Sequence, residues 1–180
     1  MRTPHGSNKR VAGPGPRFGL VAMAFTLLLA GCGGGKKITE LQRKEASHLV
    51  SEADFAMTLR DYARAEGTLA KAVELCPDTG SYWMNLGLAR IRQGNRSGGK
   101  NAYQSALHAF EAAAGVNKTE ADPWLKQVYV LALLGRAEDS RALLAKAAKQ
   151  FPANRAVKNF IEQKQLDLML ADPSFKQDAL

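Results

Sequence analysis

Cysteine is scarce, early acids are missing and strand signals are nearly absent. Cys32 and Cys76 are the two cysteines in 180 residues, too few for a disulfide framework. No Asp or Glu precedes Cys32, whereas Arg2, Lys9, Arg10 and Arg17 do. The formal charge of +8 therefore misleads. From Cys32 onward, 21 Lys plus Arg stand against 17 Asp plus Glu, a net of +4. That is a mildly basic surface and excludes the strong basic stripe of a nucleic-acid binder. Both signs alternate along the chain, as on solvated helix faces.

A long apolar run is also missing. Phe18 to Ala30 is apolar except for Thr26, but spans only 13 residues, short of the ~20 that cross a bilayer core as a helix. A basic start, a short apolar core and small residues at its end are the marks of a secretory signal. The stretch closes on Leu29-Ala30-Gly31-Cys32. This resembles the lipobox of bacterial lipoproteins. The resemblance implies a signal peptide over residues 1–31, cleavage between Gly31 and Cys32, a diacylglycerol on the Cys32 thiol and an acylated new amino group. Residues 32–44 then read as anchor and tether. Each buried methylene contributes ~0.8 kcal/mol, so two or three acyl chains hold tightly. Gly33 to Gly35 form a free leash, and Lys36 and Lys37 suit anionic headgroups. Gly33 stands where Asp would retain a lipoprotein at the inner membrane of enteric bacteria. The resemblance thus implies an outer-membrane anchor facing the periplasm. Cys76, left alone just before Pro77, reads as a small, partly buried apolar residue.

From Ile38 the chain is rich in Ala, Leu, Lys, Arg, Glu and Gln, all good helix formers, and breakers are sparse. The fold class is all-α. The spacing predicts helices over about Glu45–Leu59, Tyr62–Leu75, Gly80–Gln93, Asn101–Gly115, Ala121–Leu134, Ala137–Gln150 and Asn154–Leu170. Ala53, Ala65, Leu69, Ala72 and Pro77 fall on Val128, Ser140, Leu144, Ala147 and Pro152 at a shift of 75. Trp83 and Gly94 fall on Trp124 and Gly135 at a shift of 41. Repeat starts near Ala46, Gly80, Ala121 and Arg155 are spaced 34, 41 and 34, and the surplus is assigned to a polar, Gly-rich insert at residues 95–101.

Trp83, Leu86, Gly87, Ala106, Phe110 and Ala113 resemble the signature of the tetratricopeptide repeat. The first repeat departs from it with Leu49 at the aromatic position, and the third with Gln127-Val128 in place of Leu-Gly. The resemblance implies a helical-hairpin solenoid of about three repeats over residues 45–153. Residues 154–180 add a capping helix, with Val157, Phe160, Ile161 and Leu168 inward, and a Phe175 tail that folds back or frays. Small residues such as Ala53, Ala65 and Ala72 let paired helices approach closely.

No catalytic or metal-ligating constellation emerges. His48 and His108 are isolated. Glu138-Asp139 suits the first turn of a helix. The glycine clusters match no phosphate loop, and no Ser occupies a nucleophile elbow. No enzyme, cofactor, metal or small-molecule substrate is expected. Trp83 and Trp124 recur at the packing position, so they read as core. The expected functional surface is the concave groove, which the family lines with the first helix of each pair. Helical spacing assigns to it Val50, Asp54 and Met57; Met84, Leu88 and Ile91; and Leu125, Tyr129 and Leu133. This face is apolar, and the last helix either covers part of it or leaves it open. It lacks the lysines of the family's carboxylate clamp, although Asn85 is compatible with one. The expected role is a lipid-anchored scaffold that binds another envelope protein or peptide segment, in a pilus, secretion or outer-membrane assembly machine. Regulation of a cell-wall synthase or hydrolase, and service to polysaccharide export, are the alternatives.

Overall fold

The computed structural model describes residues 37–180. The signal segment, the Gly31–Cys32 junction and the glycine leash lie outside the described residues. The described chain is helical: α1 (Glu40–Thr58), α2 (Tyr62–Leu75), α3 (Gly80–Arg92), α4 (Arg96–Val116), α5 (Asp122–Leu133), α6 (Ala137–Gln150), α7 (Arg155–Glu162), α8 (Gln165–Ala171) and α9 (Pro173–Asp178). Successive helices pack as hairpins, α1 with α2, α3 with α4 and α5 with α6, and each hairpin stacks on the next. This is a tetratricopeptide-like helical solenoid.

Local chemistry sets the helix starts. Thr39 forms a capping box with Gln42: the Gln42 N–H donates to Thr39 Oγ1 at 3.2 Å, and the Thr39 N–H to Gln42 Oε1 at 2.9 Å. This nucleates α1 at Glu40 rather than near Glu45, so residues 40–44 belong to the helix and not to the tether. Asp61 caps α2 by accepting from the Arg64 N–H, and Asn95 caps α4 by accepting from the Gly98 N–H. Each hairpin turns through one left-handed residue: Arg60 (φ 59°), Gly94 (φ 82°) and Gly135 (φ 71°).

These turns correct the position of the insert. Arg60 and Gly94 are 34 residues apart, whereas Gly94 and Gly135 are 41 apart. Residues 96–101 are the start of α4 and not a connection. The surplus instead lies in the helix itself: α2 and α6 have 14 residues each and α4 has 21. Seven residues are about two turns, so the extension keeps the helix face in phase. It emerges at the C-terminal end, where Val116 is 82% exposed.

The register of small residues follows. Ala53, Ala65, Leu69 and Ala72 of the first hairpin correspond to Gly87, Gly99, Tyr103 and Ala106 of the second, then to Val128, Ser140, Leu144 and Ala147 of the third. All but Leu144, which is half-buried, are buried. A Cβ on Gly99 would lie 2.6 Å from Ile91 and 3.2 Å from the Gly87 carbonyl oxygen. In the third hairpin the Ser140 hydroxyl donates to the Val128 carbonyl at 2.7 Å. Tyr103, not Phe110, thus holds the aromatic position of the second hairpin. Phe110 is buried one step further along, against Gly80 and beneath the Lys126 ammonium. Each such apolar side chain stabilises the stack by ~1.5–3 kcal/mol.

The single capping helix expected after Asn154 is three helices. The chain leaves α7 at Lys164, whose φ is 51°, so α8 does not continue the line of α7. Val157 and Leu166 are buried, Phe160 is half-buried, and Ile161 and Leu168 face out instead of in. The short α7 contacts both α6 and α8, and a groove of about 450 Å³ lies open between the three, lined in part by Leu144, Phe160 and Ile161.

Candidate partner-binding groove

The inner face of the stack is built by α1, α3 and α5, the first helix of each hairpin. Its two ends differ. On α1, Asp54 is exposed and Val50 and Met57 are half-buried over the small-residue seam of Ala53, Ala56 and Ala65. Phe55 and Leu59 are 59% and 61% exposed. Both lie on the side of α1 away from Val50, Asp54 and Met57; in the repeat register Phe55 falls on Ala89 and Val130, which are buried between hairpins.

At the other end the groove is occupied. The segment from α9 to Leu180 lies across α3 and α5. Asp178 meets Arg92, with Oδ1 2.6 Å from Nε and Oδ2 3.0 Å from a terminal guanidinium nitrogen. The Nε contact is a charge contact off the N–H direction; the second is an aligned hydrogen bond. The Tyr103 hydroxyl donates to the Asp178 carbonyl at 2.9 Å, Arg96 donates to the Ala179 carbonyl at 3.1 Å, and the Leu180 N–H donates to the Leu133 carbonyl at 2.9 Å. Phe175 is buried with its ring edge-on to Tyr129, centroids 5.6 Å apart. Asp172 caps α9 by accepting from the Ser174 and Phe175 N–H groups. What remains between this strap and the groove floor is a cavity of about 50 Å³ lined by Met84, Asn85, Leu88, Tyr103, Tyr129, Leu133 and Asp178.

The sequence-assigned groove residues therefore divide. Val50, Asp54 and Met57 form the open end. Met84 and Leu88 are half-buried at the centre. Leu125 is half-buried and packs instead with Trp124 and the Phe151 cluster. Ile91 and Leu133 are buried, and Tyr129 stays 36% exposed beside Phe175. Arg92, Arg96 and Asp178 carried no sequence signal, since Arg92 and Asp178 are 86 residues apart. Tyr103 did carry one: it lies 34 residues after Leu69.

Burial pushes the Tyr103 phenol well above its ordinary value, with the Asp178 charge and Tyr129 adding to the effect. Burial likewise raises Tyr129. Cys76 is buried at the end of α2, its thiol donating to the Gln42 carbonyl at 3.7 Å, and desolvation raises its pKa. Such a thiol is a poor nucleophile.

The repeat-packing residues sit where hairpins meet. Pro77 and Pro152 are exposed in the turns after α2 and α6, and Leu86 and Gly87 are buried. Trp83 and Trp124 are half-buried; the Trp83 indole N–H donates to the Pro77 carbonyl at 2.9 Å, while the buried Trp124 N–H has no partner. Trp124 packs edge-on to Phe151 at 5.7 Å. Glu138 and Asp139 lie in the first turn of α6 and pair with Arg141 and Arg136. His48 and His108 are exposed. Among the described residues, no group of three or more His, Cys, Asp or Glu could hold a metal ion. Among them, too, no helix is long and apolar enough to cross a membrane.

No family model matches the chain, and no curated protein matches it. Solved structures similar to it include the Arabidopsis OM64 TPR domain, at 17% identity over 70% of this chain and 97% of that one, with a TM-score of 0.42. Another is the first TPR of Spaghetti (RPAP3) bound to the HSP90 peptide SRMEEVD, at 15% identity over 77% of this chain and 100% of that one, with a TM-score of 0.44. Likenesses this low carry no argument about function.

Proposed function

We propose that this chain is a non-catalytic protein–protein interaction scaffold, anchored through lipid on Cys32 at the periplasmic face of a bacterial outer membrane. It takes an apolar or amphipathic segment of another envelope protein on the inner face of α1 and α3, within a pilus, secretion or outer-membrane assembly machine. The observation that carries the binding role is the contrast within one groove. Its far end is filled by the chain's own short helix, whereas its near end leaves Val50 and Met57 only half-buried, with apolar surface toward solvent. A helix laid in a groove through residues spaced three and four apart suits such a face, and the thioethers of Met57 and Met84 adapt to imprecise partners. The anchor rests on Leu29-Ala30-Gly31-Cys32 at the end of a short apolar run.

Two measurements test the two halves. Cys32→Ser should move the protein from the detergent phase to the soluble periplasmic fraction, or leave it uncleaved. Normal processing with unchanged detergent partitioning would sink the anchor. For the groove, a photo-crosslinking residue at Met57 in intact cells should yield one discrete adduct that Met84→Glu abolishes. An absence of adducts, or adducts indifferent to Met84→Glu, would sink the scaffold.

A further inference from the structure

The strap is bound by specific chemistry as well as by apolar burial. Phe175 enters the apolar floor against Tyr129, and three residues later Asp178 reaches Arg92. One helical turn places both groups on the same face. The next carbonyl is taken by Arg96 and the next-but-one N–H by the Leu133 carbonyl. The receptor side thus offers an aromatic wall, a guanidinium and three backbone-recognition points, the Tyr103 hydroxyl on the Asp178 carbonyl being the third. All of these lie on α3, α4 and α5, which the hairpin packing holds without help from the strap. By contrast α9 has only six residues, far too few to be helical unaided, and is held mainly by this site.

We infer that the α3–α5 end of the groove is a receptor for a short helical segment bearing an aromatic residue followed three positions later by a carboxylate, and that α9 is its built-in occupant. A partner carrying that pattern exchanges with the strap. This deepens the scaffold reading above by naming the partner chemistry at the end of the groove which that reading leaves aside. The carboxylate supplies orientation, because the Arg92 guanidinium donates one aligned charge-assisted hydrogen bond to it and presses a second charge contact on its other oxygen, and the aromatic ring supplies most of the buried area. Because the strap is tethered, an outside segment competes against an effective concentration in the millimolar range. A partner must bring a further contact, and the open α1 end of the same groove is the place for it.

The test uses the full chain and a synthetic peptide of residues 172–180, followed by NMR at the Leu88 and Leu133 methyl groups and the Arg92 side chain, which reads dissociation constants into the millimolar range. The full chain with Phe175→Ala and Asp178→Asn should bind the peptide at least tenfold more tightly than the wild-type chain. Peptides with Phe175→Ala or Asp178→Asn should each bind at least tenfold more weakly than the parent. Arg92→Glu in the strap-weakened chain should lose the parent peptide and prefer one with Asp178→Lys. Equal affinity for both chains, equal affinity of all peptides, or shifts that avoid Leu133 and Arg92 would each overturn the inference. If the strap-weakened chain loses its helical circular-dichroism signal, the wild-type chain carries the test: excess peptide must speed hydrogen exchange of the Leu180 amide, and no change refutes exchange. The two readings fail separately, since loss of the Met57 adduct leaves this titration untouched, and a failed titration leaves the adduct untouched.

Discussion

The ring of Tyr103 lies where a side chain on Gly87 would have to be. A Cβ built on Gly87 falls inside the van der Waals surface of that ring, so α3 and α4 approach as closely as they do only because residue 87 has no side chain. Gly87→Ala would gain up to ~1 kcal/mol of helix propensity but force the ring aside in a filled core, which costs about 1–3 kcal/mol. The ring cannot shift freely, because its hydroxyl is tied to the Asp178 carbonyl. The expected net effect is a destabilisation of about 1–2 kcal/mol, read as a lower urea midpoint with the slope unchanged. A variant as stable as the parent would mean the helices are further apart than described.

Arg60 does with a side chain what Gly94 and Gly135 do without one. All three sit in the left-handed region at the hairpin turns. That conformation costs a non-glycine residue about 1 kcal/mol or more, partly offset by the extra freedom glycine has in the unfolded chain. Arg60→Gly should therefore raise stability by about 0.5–1 kcal/mol. Gly94→Ala should lower it by about the same amount. Thermal melts of the two variants against the parent check both signs.

Trp83 and Trp124 occupy equivalent positions but differ in one hydrogen bond. Trp83 donates to the Pro77 carbonyl, whereas the Trp124 N–H is buried without an acceptor. A net hydrogen bond contributes about 0.5–1.5 kcal/mol, and an orphaned buried donor costs about 1–3 kcal/mol. Trp83→Phe should thus be the more harmful change, by at least about 1 kcal/mol relative to Trp124→Phe in matched urea titrations. Equal losses would show that the Trp124 indole has a partner after all.

The hairpins were legible because their signals are local. Asp61 falls at the turn that opens α2, and the α2 limits of Tyr62 and Leu75 follow from breakers on either side. The misplaced insert shows where local reading stops. Asn95 to Asn101 is polar and Gly-rich, and looks like a loop. Yet Asn95 caps a helix, and Gly99 is glycine because Ile91 and the Gly87 carbonyl press on it. The extra turns at the end of α4 are Ala-rich and look like ordinary repeat. A glycine chosen for close packing and a glycine chosen for a turn are the same letter. The strap was legible only as one of two readings, a Phe175 tail that folds back, and its seat was not: Phe175, Asp178 and Leu180 are held by Tyr129, Arg92 and Leu133, partners that no periodicity of the tail itself specifies.

Tyr103 also makes the strap sensitive to alkali. Its folded pKa is raised, chiefly by burial and then by the Asp178 charge. In the unfolded chain a tyrosine titrates near ~10. A group whose pKa is higher in the folded state adds stability that is fully present below the unfolded value and is lost as pH climbs from there toward the folded value. Stability should begin to fall gently above about pH 8.5, where the raised Cys76 thiol starts to count, and more steeply above about pH 10, as ionised Tyr103 would give up its donation to the Asp178 carbonyl and face that residue's charge. Tyr103→Phe should lose about 1 kcal/mol at pH 8 for the missing hydrogen bond, yet show a shallower decline above pH 10, with Tyr129, Tyr82 and Cys76 supplying the remainder. Urea midpoints of parent and variant at pH 8, 9, 10 and 11 measure this. Parallel pH profiles for the two proteins would remove Tyr103 as the source.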